Sequence, residues 1–155
     1  ITYMRTDSVS LSSEAIDGSR NSLNPTDGTN FWFMSDINNS NGGGAFKHTL
    51  TFASQNISSF SNVKIEFDWG VNGFDTGDDM FYEVFEDGVS LGEVQFVDGN
   101  SNFTSSGTES IAISSSATTC YIVLKAEQNK AYFLLRSLST RLEYAKVDMH
   151  LFNYC

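Results

Sequence analysis

Apolar and polar residues alternate along much of the chain with a period of two. The alternation is cleanest within 63–71, where the apolar positions are Val63, Ile65, Phe67, Trp69 and Val71. Because successive side chains of a strand point to opposite faces, this pattern predicts a strand with one buried face. It also predicts that Trp69 belongs to the core.

The segment 144–152 alternates in the same way and predicts another strand of this kind. Its apolar face is formed by Ala145, Val147, Met149 and Leu151, and its other face carries Tyr144, Lys146, Asp148, His150 and Phe152. Runs rich in aromatic and β-branched residues predict further strands at 1–11, 30–37, 45–54, 80–87, 90–97, 109–114, 119–127 and 131–138. The turn signal Asp87-Gly88 predicts a hairpin.

Gly, Asn, Asp and Ser residues cluster between these apolar stretches, as they do in turns, and helical periodicity is absent. About ten short strands with short connections predict an all-β fold of two packed antiparallel sheets, either a jelly roll or another sandwich topology. No change in composition marks a domain boundary. We therefore expect one β-sandwich domain over 1–155.

Charge narrows the choice of ligand. The chain has 19 acidic and 9 basic residues, a formal net charge of −10. Proteins that bind nucleic acid carry clustered Lys and Arg, so this class is excluded, whereas neutral sugars and cations meet no repulsion. No apolar run approaches the roughly 20 residues that span a bilayer, so no membrane partner is expected.

The number of cysteines and the identity of the first residue give information on the compartment and the processing of the chain. Cys120 and Cys155 are the only cysteines, and they are as compatible with one disulfide as with two free thiols. The sequence starts at Ile1 rather than at Met, which is typical of a processed product or of part of a longer protein.

The densest acidic cluster contains Asp75, Asp78 and Asp79, in a loop directly before a predicted strand. A hard cation relieves the repulsion between crowded carboxylates, and Ca²⁺ accepts six to eight oxygen ligands in irregular loops. The cluster therefore predicts a structural calcium ion. The alternative is a turn whose carboxylates face water.

Sugar recognition requires aromatic rings beside carboxylate, amide or basic groups. The outward faces of the alternating strands predict a concave polar groove formed by Glu66, Asp68, Glu83, Lys146 and His150. The alternative is an ordinary solvated sheet face with cross-strand charge pairs. Trp32, within an aromatic run, fits either the binding surface or the core.

Four stretches of the chain resemble secreted bacterial jelly-roll modules that bind carbohydrate, which are similar to galactose-binding-like and MAM-type domains. These stretches are NFWFMSDI at 30–37, QNISSFSNV at 55–63, FDTGDDMFYEVFEDG at 74–88 and EYAKVD at 143–148. The resemblance implies a secreted jelly roll within a larger protein. It also implies that a loop acid and a final-strand acid hold calcium, here Asp75, Asp78 or Asp79 with Asp36 and Asp148.

Catalysis has little support in the sequence. Glu66 and Asp68 resemble the acids of jelly-roll glucanases, but the further Glu of that pattern is replaced by Val71. His48 and His150 are too few for a histidine-rich metal site. The sequence thus predicts a secreted, non-catalytic carbohydrate-binding module with a structural calcium ion. An adhesive or protein-binding sandwich domain is the first alternative, and a small glycosidase or polysaccharide lyase is the second.

Overall fold

Antiparallel strands make up all the regular structure of the residues that the computed structural model describes. These residues are 4–7, 30–35, 47–99, 103–127, 132–142 and 145–148, with side chains described over 47, 49–71, 73–99 and 104–127. The strands, in chain order, are β1 Met4–Asp7, β2 Asn30–Ser35, β3 Lys47–Thr51, β4 Gln55–Asn56, β5 Lys64–Phe74, β6 Asp79–Glu86, β7 Val89–Asp98, β8 Phe103–Ala112, β9 Thr119–Glu127, β10 Tyr132–Leu142 and β11 Ala145–Asp148. A helix able to cross a membrane is not found among these residues.

The strands form two sheets. The six-stranded sheet has the order β1-β2-β10-β5-β8 with β11 beside β10, and the five-stranded sheet has the order β3-β9-β6-β7 with β4 beside β9. When β1, β4 and β11 are set aside, the strands of the first sheet are first, eighth, third and sixth in the chain. Those of the second sheet are second, seventh, fourth and fifth. This alternation between sheets is the jelly-roll topology, so the predicted fold is confirmed.

Aromatic rings from both sheets meet in the core. The Phe67 ring of β5 lies edge-on to Tyr82 of β6, with 6.0 Å between ring centroids, and to Phe96 of β7 at 5.5 Å. Trp69 contacts Phe96 at 5.6 Å and is 9% exposed, which confirms its predicted core position. Edge-to-face packing of this kind stabilises large rings in an apolar interior.

The alternation predicted for 63–71 is also confirmed, because its apolar side chains are buried. The buried apolar residues are Leu50, Phe52, Ile57, Val63, Ile65, Phe67, Trp69, Val71, Phe74, Met80, Val84, Val97, Ile113, Cys120, Ile122, Leu124 and Ala126. Cys120 is a free thiol, and burial raises its pKa to about 11. Cys155, its candidate disulfide partner, lies outside the described residues.

The predicted hairpin between β6 and β7 is confirmed. Asp87 and Gly88 both have positive φ, 49° and 80°, as a two-residue hairpin turn of this type requires. The Asp87 carboxylate accepts hydrogen bonds from the backbone N–H groups of Thr118 (3.0 Å) and Thr119 (2.8 Å) and from both hydroxyls. These bonds lower the pKa of Asp87. The turn is thereby tied to the start of β9.

Some strand boundaries differ from those predicted. The strand predicted to start at 109 begins at Phe103, because Phe103 and residues 105–108 pair with β5 although 105–108 are Ser, Gly and Thr. Hydrogen bonding to a buried neighbour thus overrides weak strand propensity. β10 continues to Leu142 for the same reason, since it pairs with β5 as far as Lys64.

Candidate functional site

The predicted sugar-binding residues lie on two different surfaces. Glu66 and Asp68 belong to β5 in the six-stranded sheet, whereas Glu83 belongs to β6 in the five-stranded sheet. All three side chains lie on the side of their strand opposite the buried residues. Because the two sheets pack against each other through the core, these outward sides face opposite directions. The predicted single groove containing Glu83 together with Glu66 and Asp68 is therefore wrong.

The backbone of β11 belongs to the six-stranded sheet as well. Lys146 is in register with Arg141 of β10, and Arg141 is in register with Lys64 of β5. Lys146 thus lies on the same sheet as Glu66 and Asp68 rather than beside Glu83. Trp32 lies in β2 of this sheet, in register with Leu135. His150 lies outside the described residues.

Glu66 and Asp68 already have partners on their own surface. Glu66 forms an ion pair with Lys64, and the Thr108 hydroxyl donates a hydrogen bond to Asp68 at 2.6 Å. The first contact joins neighbouring outward residues of β5 and the second joins β5 to β8, as expected of a solvated sheet face.

The predicted calcium ligands of the acidic loop point in different directions. Asp78 is fully buried, and its carboxylate accepts a hydrogen bond from the backbone N–H of Asp75 at 3.1 Å. Asp79 accepts hydrogen bonds from the Gln95 side chain (3.0 Å) and from the backbone N–H of Gly99 (3.2 Å). Within the described part of the chain, no three His, Cys, Asp or Glu side chains are grouped to hold a metal.

Asp148 is too far from the acidic loop to share an ion with it. It is in register with Ser139, and Ser139 is in register with Glu66. Glu66 precedes Phe74, the last residue before the loop, by roughly 26 Å of strand. The implied pairing of Asp148 with a loop acid is therefore wrong. Asp36, the other implied ligand, lies outside the described residues.

The five-stranded sheet presents a second surface, which we call the outer face. It is the side opposite the buried residues of β6 and β9, and it is formed by Lys47, Thr49, Thr51, Phe81, Glu83, Phe85, Ser90, Glu93, Gln95, Tyr121, Val123, Lys125 and Glu127. Of the predicted sugar-binding residues, Glu83 lies here. The surface combines aromatic rings, hydroxyls, carboxylates and ammonium groups.

Three aromatic rings lie on the outer face. Phe85 and Tyr121 are in register on adjacent strands, and their rings stack with 4.4 Å between centroids and 3° between planes. Both are half-buried, so part of each ring remains in contact with water. Phe81 lies four residues earlier in β6, about 13 Å along the strand. The Lys47 ammonium covers its ring at 3.7 Å from the centroid.

Charged groups lie around Phe81, and Glu83 lies between Phe81 and Phe85. The Glu93 carboxylate binds Lys47 through one oxygen (2.8 Å) and Lys125 through the other (2.9 Å). Lys47 also pairs with Glu127 at 3.1 Å, and Lys125 pairs with Glu83. We call these five residues the ion network. The hydroxyl of Ser90 donates a further hydrogen bond to Glu83.

The ion network shifts the titration of its members. The hydrogen bond from Lys47, followed by that from Lys125, lowers the pKa of Glu93, and hydrogen bonds from Lys125 and Ser90 lower the pKa of Glu83. Burial opposes the charged form of Lys47 and of Lys125, but the bonds to carboxylates outweigh it and raise both lysine pKa values. All these shifts favour the charged forms at neutral pH.

The sequence patterns missed most of the outer face. Both sides of β6 carry large apolar residues, with Phe81 and Phe85 on one side and Tyr82 and Val84 on the other. A strand of this kind does not show which of its sides is buried. The alternation along β9 is clearer than that along β6. Every second residue of β9 is buried and the residues between them are half-buried, so the alternation places Tyr121 on the outer face.

The chain was compared with known proteins. Neither a protein family nor a curated protein matches it. It is similar to the solved structure "Family 16 Carbohydrate Binding Module-2", with a TM-score of 0.41 and 12% identity over 75% of this chain and 79% of that one. It is also similar to "PA14 sugar-binding domain from RTX adhesin", with a TM-score of 0.34 and 10% identity over 81% and 77%. At such TM-scores, neither likeness says what this chain binds.

We expect acid to protonate the carboxylates of the ion network, and so to break its ion pairs, only below the ordinary glutamate pKa of about 4.3. Because Glu83 and Glu93 have lower pKa values in the folded state than in the unfolded state, the network stabilises the fold above the unfolded-state values. This stabilisation is lost as the pH falls through the folded-state values. Titration of the two side-chain carboxyls by NMR measures the shifts. In Lys125→Met both pKa values should rise, most of all that of Glu83, and unchanged titration curves would contradict the described contacts.

Proposed function

We propose that this protein is a non-catalytic carbohydrate-binding module that binds a polysaccharide on the outer face. The observation that carries the proposal is the stacked pair Phe85 and Tyr121, which lies partly exposed on a sheet surface close to Glu83, the partner of Lys125. Sugar recognition needs this combination, because aromatic rings cover the apolar face of a pyranose while charged and polar groups bind its hydroxyls.

The polar groups of the outer face suit sugar hydroxyls. A hydroxyl both donates and accepts hydrogen bonds, so it is satisfied by a surface that offers carboxylate oxygens and N–H groups together. Glu83 lies two residues from Phe85 in β6 and provides carboxylate oxygens beside the aromatic pair, and Lys125, in register with Phe81, provides N–H groups where its ammonium pairs with Glu83. Thr49 and Thr51 add hydroxyls on the neighbouring strand β3.

The role we propose is attachment. A secreted module of this kind, within a larger protein, keeps its parent enzyme or cell surface against a polysaccharide. The effective concentration of the attached partner near that polysaccharide rises without any new catalytic group.

An adhesive or protein-binding domain is the second candidate, and the exposed edge of the five-stranded sheet favours it. β7 is one of the two edge strands of this sheet in the described part of the chain, and its apolar residues Val89, Leu91 and Val94 are 67%, 55% and 42% exposed. Exposed apolar side chains on an edge strand are typical of contacts with another protein chain. A soluble glycan should raise the melting temperature of a carbohydrate-binding module and leave a purely adhesive domain unchanged.

The catalytic alternative gains no support from the fold. Val71, which occupies the place of the further Glu in the glucanase pattern, is fully buried in the core. Its side chain lies on the face of β5 opposite that of Glu66 and Asp68.

Removing either stacked ring is expected to weaken polysaccharide binding by about tenfold or more, which is about 1.4 kcal/mol. Affinity electrophoresis in gels containing a neutral polysaccharide measures the loss for Phe85→Ala and Tyr121→Ala. Tyr121→Phe keeps the ring and should retain most of the affinity. Asp68→Asn, on the surface of the other sheet, is the matched control and should bind as the wild type does. A loss in Asp68→Asn with full binding in Tyr121→Ala would place the site on the other sheet.

We further propose that the acidic loop binds calcium. The support is that the backbone carbonyls of Asp75 and Asp78 converge on Gly99, where a Cβ atom would overlap both oxygens, because carbonyl oxygens are among the ligands that Ca²⁺ takes. The carboxylate of Asp75 is exposed at the same loop.

Calcium is expected to raise the melting temperature, and EDTA is expected to reverse the rise, because an ion that binds only the folded state stabilises it. Magnesium should raise the melting temperature less than calcium does, because it demands a tighter octahedral geometry. Asp75→Asn should remove the calcium response, and Asp68→Asn, about 20 Å along β5 from Phe74 at the start of the loop, should keep it. Equal melting temperatures of the wild type in calcium and in EDTA would contradict the proposal.

A further inference from the structure

We infer that the outer face selects neutral glycans against acidic ones, and that Glu93 is the residue that sets this selectivity. The inference rests on the proposed function, because it names the class of polysaccharide that the same surface accepts. It follows from the ion pairs that the two ammonium groups of the outer face already form.

Glu93 lies between the two lysines of the outer face and binds both. Its carboxylate oxygens are 2.8 Å from Lys47 and 2.9 Å from Lys125. Each lysine has a second carboxylate as well, Glu127 for Lys47 and Glu83 for Lys125. A carboxylate or sulfate group of a glycan would therefore have to displace a glutamate that is already in place.

The charge balance of the outer face also opposes an acidic ligand. Two lysines face three glutamates, and the next cross-strand row adds Asp79 and Asp98. A surface with excess negative charge, on a chain of net charge −10, repels polyanions at a distance. The network therefore disfavours acidic glycans both during approach and in contact.

A neutral glycan meets neither obstacle. Each ammonium group has three N–H donors, and the two carboxylates on Lys125 leave one donor for a sugar hydroxyl. Hydroxyls also accept this bond without displacing Glu83 or Glu93. The fixed carboxylates in turn accept hydrogen bonds from other hydroxyls of the sugar, so the ion network becomes part of the binding surface.

Replacing Glu93 by Gln is the direct test. The amide keeps the size of the side chain but removes one negative charge, so Lys47 and Lys125 each lose one ionic partner. The surface then offers cations to a uronate. Glu127→Gln removes one ionic partner from Lys47 alone, leaves its pair with Glu93 in place, and serves as a second variant. Glu66→Gln, which releases Lys64 on the other sheet, is the matched control with the same change in net charge.

The experiment compares these proteins on immobilised galactomannan, β-glucan, polygalacturonate and chondroitin sulfate, at low and at high ionic strength. The wild type should be retained by a neutral polymer, with little effect of salt, and should pass through the acidic ones. Glu93→Gln should gain retention on polygalacturonate at low ionic strength and lose it at high ionic strength, where charges are screened. Glu127→Gln should gain less, and Glu66→Gln should gain none.

The outcomes separate this inference from the proposed function. Retention of the wild type on an acidic polymer as strong as on a neutral one would overturn the inference and leave carbohydrate binding intact. Equal behaviour of Glu93→Gln and Glu66→Gln on polygalacturonate would overturn the role of Glu93. Passage of the wild type through all four polymers would overturn both the inference and the proposed function.

Discussion

The packing of Phe67 against Tyr82 and Phe96 determines which side of each sheet meets water. These rings come from opposite sheets, and their contacts at 5.5 to 6.0 Å hold the two sheets together. Because side chains alternate along a strand, an inward Tyr82 requires Phe81 and Glu83 to point outward. The candidate site is thus a consequence of the core, since the contacts that bury one side of β6 expose the other.

Alternation and turn chemistry are local, so the sequence predicts the strands, the hairpin at Asp87 and the buried face of 63–71. The sequence does not predict which strands share a sheet, because this depends on pairing between distant segments. Glu66 and Glu83 looked equivalent along the chain, yet β5 and β6, which are consecutive, belong to different sheets. The prediction of a single groove is wrong for this reason. The prediction that Asp148 shares a calcium ion with the acidic loop is wrong for the same reason, since its strand pairs with β10 far from that loop.

We propose that the ion network contributes more to recognition than to folding. Its members are partly exposed, and ion pairs in contact with water contribute little to the free energy of unfolding. Their effect is to hold two ammonium groups near Phe81, with Glu93 between them, and Glu83 between Phe81 and the stacked pair Phe85 and Tyr121. A binding surface that is ordered before the ligand arrives loses less conformational entropy on binding.

The proposed binding surface is tested most directly by NMR, by titrating the isotope-labelled protein with a neutral oligosaccharide from the retained polymer. We expect the largest chemical-shift changes in β6 and β9, at the amides of 81–85 and 121–125 and in the ring signals of Phe85 and Tyr121. Changes centred instead on Lys64, Glu66 and Asp68 of β5 would contradict it and place recognition on the six-stranded sheet.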